Sequence, residues 1–200
     1  VNQCERMKVG TCLNPLHTAL AVYGCLLGYV KISDEIRDPQ LKGLIEKIGY
    51  DEGLPVVVNP GVLNPKAFID ELLELRLPNP NVPDTPQRIA TDTSQKVGVR
   101  YGITIKAYGD KAKDLKYIPL AIAGWCRYLL GIDDEGHAFT PSPDPLLEDL
   151  QKTLAGVRFG HPETAAGALH SILSNRSIFG GMDLAEAGLE PVIEGYFKEL

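Results

Sequence analysis

The sequence predicts an all-α fold, a multi-helix bundle of about seven helices. Three observations carry this. Apolar residues recur at three- and four-residue spacing through most of the chain, and capping residues followed by proline punctuate it at Asp38-Pro39, Asn64-Pro65 and Thr85-Pro86. Only one short run, residues 54–58, reads as extended. With 200 residues the chain is long enough to bury a core as one domain.

The first helix is expected over residues 3–29. The second starts after Asp38 as N-cap, with Pro39 in its first turn, and runs to about Tyr50. Leu54-Pro55-Val56-Val57-Val58 is the candidate strand, closed by the Asn59-Pro60-Gly61 turn. Asn64-Pro65 opens a third helix whose Phe68, Leu72 and Leu75 form one core-facing stripe. The proline-rich segment 77–83 is a stiff loop into a fourth helix that starts at Thr85-Pro86 and passes through Arg88 and Lys96 toward Tyr108. Residues 117–131 read as a buried helix with Ile118, Ile122, Trp125 and Leu129 on one face and Gly131 as its C-cap. A loop over 133–144 then leads to three helices expected at 145–155, 162–173 and 184–200. The chain opens without an initiator Met and stops inside an amphipathic pattern, so it reads as part of a longer protein.

Composition excludes several function classes. A net charge of −6 with intermixed signs is unlike a nucleic-acid binder, whose basic excess gathers on one face. The longest apolar run, 16–30, is broken by His17, Thr18 and small residues, which marks a buried helix and no membrane span. Cys4, Cys12, Cys25 and Cys126 follow no paired spacing and read as reduced, packed thiols of a cytoplasmic protein. Those cysteines and His17, His137, His161 and His170 form no paired-ligand motif, so no metal is expected.

Polar groups inside the first helix carry the chemistry. Asn14 and His17 lie three residues apart, side by side on one helix face, and can serve one ligand. On a regular helix Lys8 would point about 180° away from His17. Gly10 and Pro15 both weaken regular helix, and one extra residue taken up as a π-type bulge would turn Lys8 back to about 80° from His17. The plainer reading is a helix-breaking Asn14-Pro15 pair, a satisfied core histidine and a snorkelling lysine. Arg88 and Lys96 form the second candidate, about 80° apart on one helix and able to face one anion, unless Asp92 joins them in a solvated salt-bridge ladder.

At these residues, ERMKVGTCLNPLHTALAVYGCLLGY (5–29) and PDTPQRIATDTSQK (83–96), the sequence resembles the C-terminal domain of the mannitol dehydrogenase family, long-chain polyol dehydrogenases that include fructuronate and tagaturonate reductases. The resemblance implies that Lys8 is the general acid/base, that Asn14 binds the developing alkoxide, and that His17 orients the substrate oxygen. The spacing departs from the family in one place: five residues separate Lys8 from Asn14 where the pattern has four, and the bulge would reconcile the two. Arg88 and Lys96 keep the spacing of the family's substrate-contacting basic residues, and two cations favour a sugar acid over a neutral polyol.

The implied whole is an NAD-dependent oxidoreductase interconverting a keto-hexuronate such as fructuronate and an aldonate such as mannonate. Its NAD is held mainly by an N-terminal Rossmann domain outside this chain, since no Gly-x-Gly-x-x-Gly turn occurs here, so this segment alone is expected to be inactive. The alternatives are mannitol or another neutral polyol as substrate, or a non-enzymatic helical interaction module.

Overall fold

A computed structural model of the chain describes residues 2–200. Its helices are α1 (Asn2–Met7), α2 (Asn14–Leu26), α3 (Ile32–Glu35), α4 (Pro39–Glu46), α5 (Pro65–Glu71), α6 (Pro86–Ile89), α7 (Thr93–Tyr108), α8 (Tyr117–Leu129), α9 (Leu147–Thr153), α10 (His170–Leu173) and α11 (Glu190–Glu199). π-helical segments at Lys8–Cys12, Lys47–Gly53 and Leu72–Arg76 follow α1, α4 and α5, and short 3-10 segments fill several connections. The all-α expectation therefore holds.

α2 is the central rod. It packs against α6, α7 and α8, and α8 packs in turn against α11. Gly24 and Gly124 set the spacing around it: a Cβ on Gly124 would meet the Tyr23 ring at 2.5 Å, and one on Gly24 would meet Pro86 at 2.7 Å. Tyr23 then donates from its hydroxyl to the Leu120 carbonyl at 2.7 Å, tying α2 to α8. The proline-led starts behave as expected, with Asp38, Asn64 and Thr85 each accepting a hydrogen bond from a first-turn amide. Residues 117–131 also match, since the four predicted core residues of α8 are buried and Gly131 follows at φ 66°.

Five expectations need correction. The single rod over 3–29 is broken at Leu13. Residues 54–58 form a 3-10 turn followed by extended chain and no strand, because no second strand lies alongside to take up their backbone groups. The fourth helix is two: α6 ends at Ile89, and Asp92 at φ 54° turns the chain before α7 begins, so Arg88 and Lys96 do not share a helix. Leu75 is 66% exposed because the wider π-turn at Leu72–Arg76 rotates it off the stripe that Phe68 and Leu72 keep. The helices expected at 162–173 and 184–200 are shortened by turns at Gly167 (φ 71°) and Gly188 (φ 79°).

Candidate active site

The break before α2 is the π-bulge. The Leu13 amide bonds the Lys8 carbonyl at 3.0 Å, a five-residue span, and the α-helical pattern resumes when the His17 amide bonds the Leu13 carbonyl at 3.0 Å. Gly10 and Pro15 are where it is needed. A side chain on Gly10 would run into Ile103 at 2.7 Å, so glycine lets this turn lie against α7 without displacing that side chain. α7 then fastens it: Thr104 donates to the Gly10 carbonyl at 3.1 Å and Tyr101 to the Pro15 carbonyl at 2.9 Å.

His17 lines a cavity with about 430 Å³ of empty space, shared with Ile32, Leu72, Arg76, Leu77, Val82 and Asp84. Burial pushes its imidazole down to about 4; Asp84 opposes the shift, and Arg100, Arg76 and Arg88 add to it. The ring is therefore neutral near pH 7, with one nitrogen to donate and one to accept. Among the described residues neither the Asn14 amide nor the His17 ring has a protein hydrogen-bond partner. The satisfied-core-histidine reading does not describe it.

Lys8 is half-buried. Its Nζ lies 5.9 Å from the centroid of Phe68, one turn before the cavity residue Leu72, and 3.9 Å from the Glu5 carboxylate. Lys8 does not line the cavity, and no hydrogen bond joins it to Asn14 or His17 among the described residues.

Arg88 and Lys96 come from two helices and meet different partners. Arg88 pairs with the cavity residue Asp84, through Nε at 2.8 Å and through Nη2, and Lys96 donates to the Thr91 carbonyl. Asp92 bridges neither among the described residues, so the salt-bridge ladder is absent there. Burial and the nearby Arg100 lower the Lys96 ammonium below its usual range.

Three residues here were missed. Asp84 and Arg76 line the His17 cavity, and Arg100 donates to the Thr18 hydroxyl at 2.6 Å, which itself donates to the Asn14 carbonyl at 2.9 Å. Arg100 lies four residues after Lys96, a spacing visible in the sequence once α7 is known to be helical there. Nothing local marked Arg76, which reaches the cavity because a π-turn ends at it.

Outside the site, the buried Glu35 carboxyl has no hydrogen-bond partner among the described residues. The thiols of Cys12, Cys25 and Cys126 are buried, unpaired and pushed up to about 12 by burial, while Cys4 is half-buried. His137, His161 and His170 are exposed and lie beside carboxylates. Among the described residues no three His, Cys, Asp or Glu side chains gather as a metal site, and no helix is long and apolar enough to cross a membrane.

The chain is similar over its whole length to the D-mannonate oxidoreductase of Thermotoga maritima, at 57% identity, and spans 38% of that protein. A D-mannonate oxidoreductase of Escherichia coli is 31% identical over 74% of this chain, which covers 30% of it. Among solved structures, the fold matches the Pseudomonas fluorescens mannitol 2-dehydrogenase ternary complex with NAD and D-mannitol at a TM-score of 0.82 and 24% identity, covering all of this chain and 37% of that one. The model of the mannitol dehydrogenase C-terminal domain matches residues 1–196, and the chain belongs to that family.

Proposed function

We propose that this chain is the substrate-binding and catalytic domain of an NAD-dependent oxidoreductase that interconverts a keto-hexuronate and an aldonate, fructuronate and mannonate. The observation that carries the reading is a neutral His17 lining a cavity with Arg76 and Asp84, with the guanidinium groups of Arg88 and Arg100 also near enough to act on its ring. The 57% identity to a D-mannonate oxidoreductase points to the same sugar acid.

In the oxidation direction Lys8 Nζ, which rests against Phe68 outside the residues lining the His17 cavity, swings in to take the proton from the reacting hydroxyl, and in reduction returns it. Asn14 and His17, both open to a ligand, hydrogen-bond that oxygen, Asn14 meeting the charge that grows on it and His17 fixing its orientation. Arg88 and Lys96 contact the sugar chain beyond the reacting carbon, with Asp84 keeping the Arg88 guanidinium in place. NAD, when bound, supplies the hydride acceptor at the same carbon.

Among the described residues no strand leads into a glycine-rich turn, so these residues fit the substrate and not the dinucleotide. The cofactor would be presented by an N-terminal dinucleotide-binding domain of the same protein, with this chain inactive alone. NADH oxidation by the full-length protein, with fructuronate, tagaturonate and fructose compared, tests the reading. Fructuronate is expected to give the highest kcat/KM; a preference for fructose would reassign the site to neutral polyols, and no turnover of any of them would overturn the enzymatic assignment.

A further inference from the structure

We infer that Arg100 seats the carboxylate of the sugar acid, with Lys96 beside it on the same face of α7. This rests on the substrate reading above and assigns the charged end of that substrate to a residue outside the two cations already considered.

Arg100 and Lys96 are four residues apart, and both are half-buried. Among the described residues neither forms an ion pair with any carboxylate, in contrast to Arg88, whose charge Asp84 meets. A partly buried guanidinium without a counter-charge loses hydration and gains nothing back, so it calls for an anion. Burial accordingly holds Arg100 below the usual arginine range.

Of the five N–H groups of Arg100, the one engaged among the described residues goes to the Thr18 hydroxyl at 2.6 Å. Thr18 hands its own proton to the Asn14 carbonyl. That chain fixes Arg100 beside the residue that meets the reacting oxygen and leaves its other donors for the two oxygens of a carboxylate. Asp84 meets Arg88 beside the His17 cavity and Asp92 and Asp144 lie near enough to raise Lys96, whereas among the described residues no carboxylate pairs with Arg100. A neutral hexitol would leave Arg100 without an anionic acceptor, which discriminates against it.

The test uses the full-length enzyme with fructuronate and NADH, and the variants Arg100→Gln and Arg100→Lys. Arg100→Gln is expected to raise KM for fructuronate by about 100-fold while kcat falls by less than about tenfold. Arg100→Lys, which restores a single charge, is expected to recover about a tenth of the native kcat/KM. Thr18→Val removes the anchor and keeps the charge, so its loss should be smaller than that of Arg100→Gln. An unchanged KM in Arg100→Gln, or equal losses in Arg100→Gln and Arg100→Lys, overturns the inference while fructuronate activity of the native enzyme leaves the substrate reading standing. If Arg100→Gln does not fold, an unchanged KM in Arg100→Lys overturns it instead. A native enzyme that ignores fructuronate overturns both.

Discussion

α2 and α8 are both 13 residues long and both deeply buried, yet they treat polar groups in opposite ways. On α8, Arg127 is 1% exposed and spends its donors on the carbonyls of Ile132 at 2.5 Å, Asp133 at 3.1 Å and Leu200 at 3.3 Å. Trp125 gives its indole N–H to Thr93 at 3.0 Å, and Tyr128 accepts from the Ser142 amide at 2.5 Å. On α2, the side chains of Asn14 and His17 have no hydrogen-bond partner among the described residues, and the π-turn ahead of them places Lys8 against Phe68. The donors of α8 are spent inside the fold, whereas α2 keeps two polar side chains available, as the proposed ligand role needs.

The sharpest way to break that contrast is Lys8→Ala in the full-length enzyme. If the bulged start of α2 is catalytic, kcat should fall by about 10³-fold with the melting temperature nearly unchanged, read by steady-state kinetics and a thermal melt. The opposite profile is expected on α8, where Trp125→Ala should cost about 3–5 kcal/mol in denaturant unfolding, with activity per folded molecule largely kept.

A pH series sharpens the comparison next. His17 sits near 4 when folded and near 6.5 when unfolded, so the unfolded chain binds more protons between those values. Stability should therefore be complete above about 6.5 and fall as pH drops toward 4, by about 3 kcal/mol at most, and His17→Gln should flatten that arm. Glu35 acts with the opposite sign. Its carboxyl is fully buried, neither oxygen has a hydrogen-bond partner among the described residues, and burial, then Asp38, pushes it up to about 9. The folded chain holds the extra proton between 4.5 and 9, so stability should decline as pH rises through that window, and Glu35→Gln should remove the slope. The smallest effect is expected from Gly10→Ala, about 1–3 kcal/mol from the clash with Ile103, with a larger proportional loss of activity than of stability if the π-turn aims Lys8.

Much of this was legible because local chemistry wrote it. Asp38, Asn64 and Thr85 ahead of their prolines gave true helix starts, and the buried face of α8 followed from 3.6-residue periodicity. The bulge was legible for the same reason, since a glycine and a proline five residues apart both disfavour a regular ladder. The break between α6 and α7 was not, because Asp92 is an ordinary helix residue until a tertiary bond from its amide to the Pro143 carbonyl at 2.9 Å turns the chain. Leu75 misled for a related reason: a π-turn changes the phase of a stripe without changing its residues.

By itself, the sequence determined the helical class, the open pair Asn14 and His17, and the strain that forces a bulge after Lys8, because each depends on neighbours within one or two turns. Only the tertiary structure decided that Asp84 would take Arg88, that Arg76 would reach the His17 cavity, and that Arg100 would stand uncompensated beside Thr18. Those pairings join residues brought together by packing helices across α2, and the strength of a charge's interactions depends on which groups share its low-dielectric surroundings.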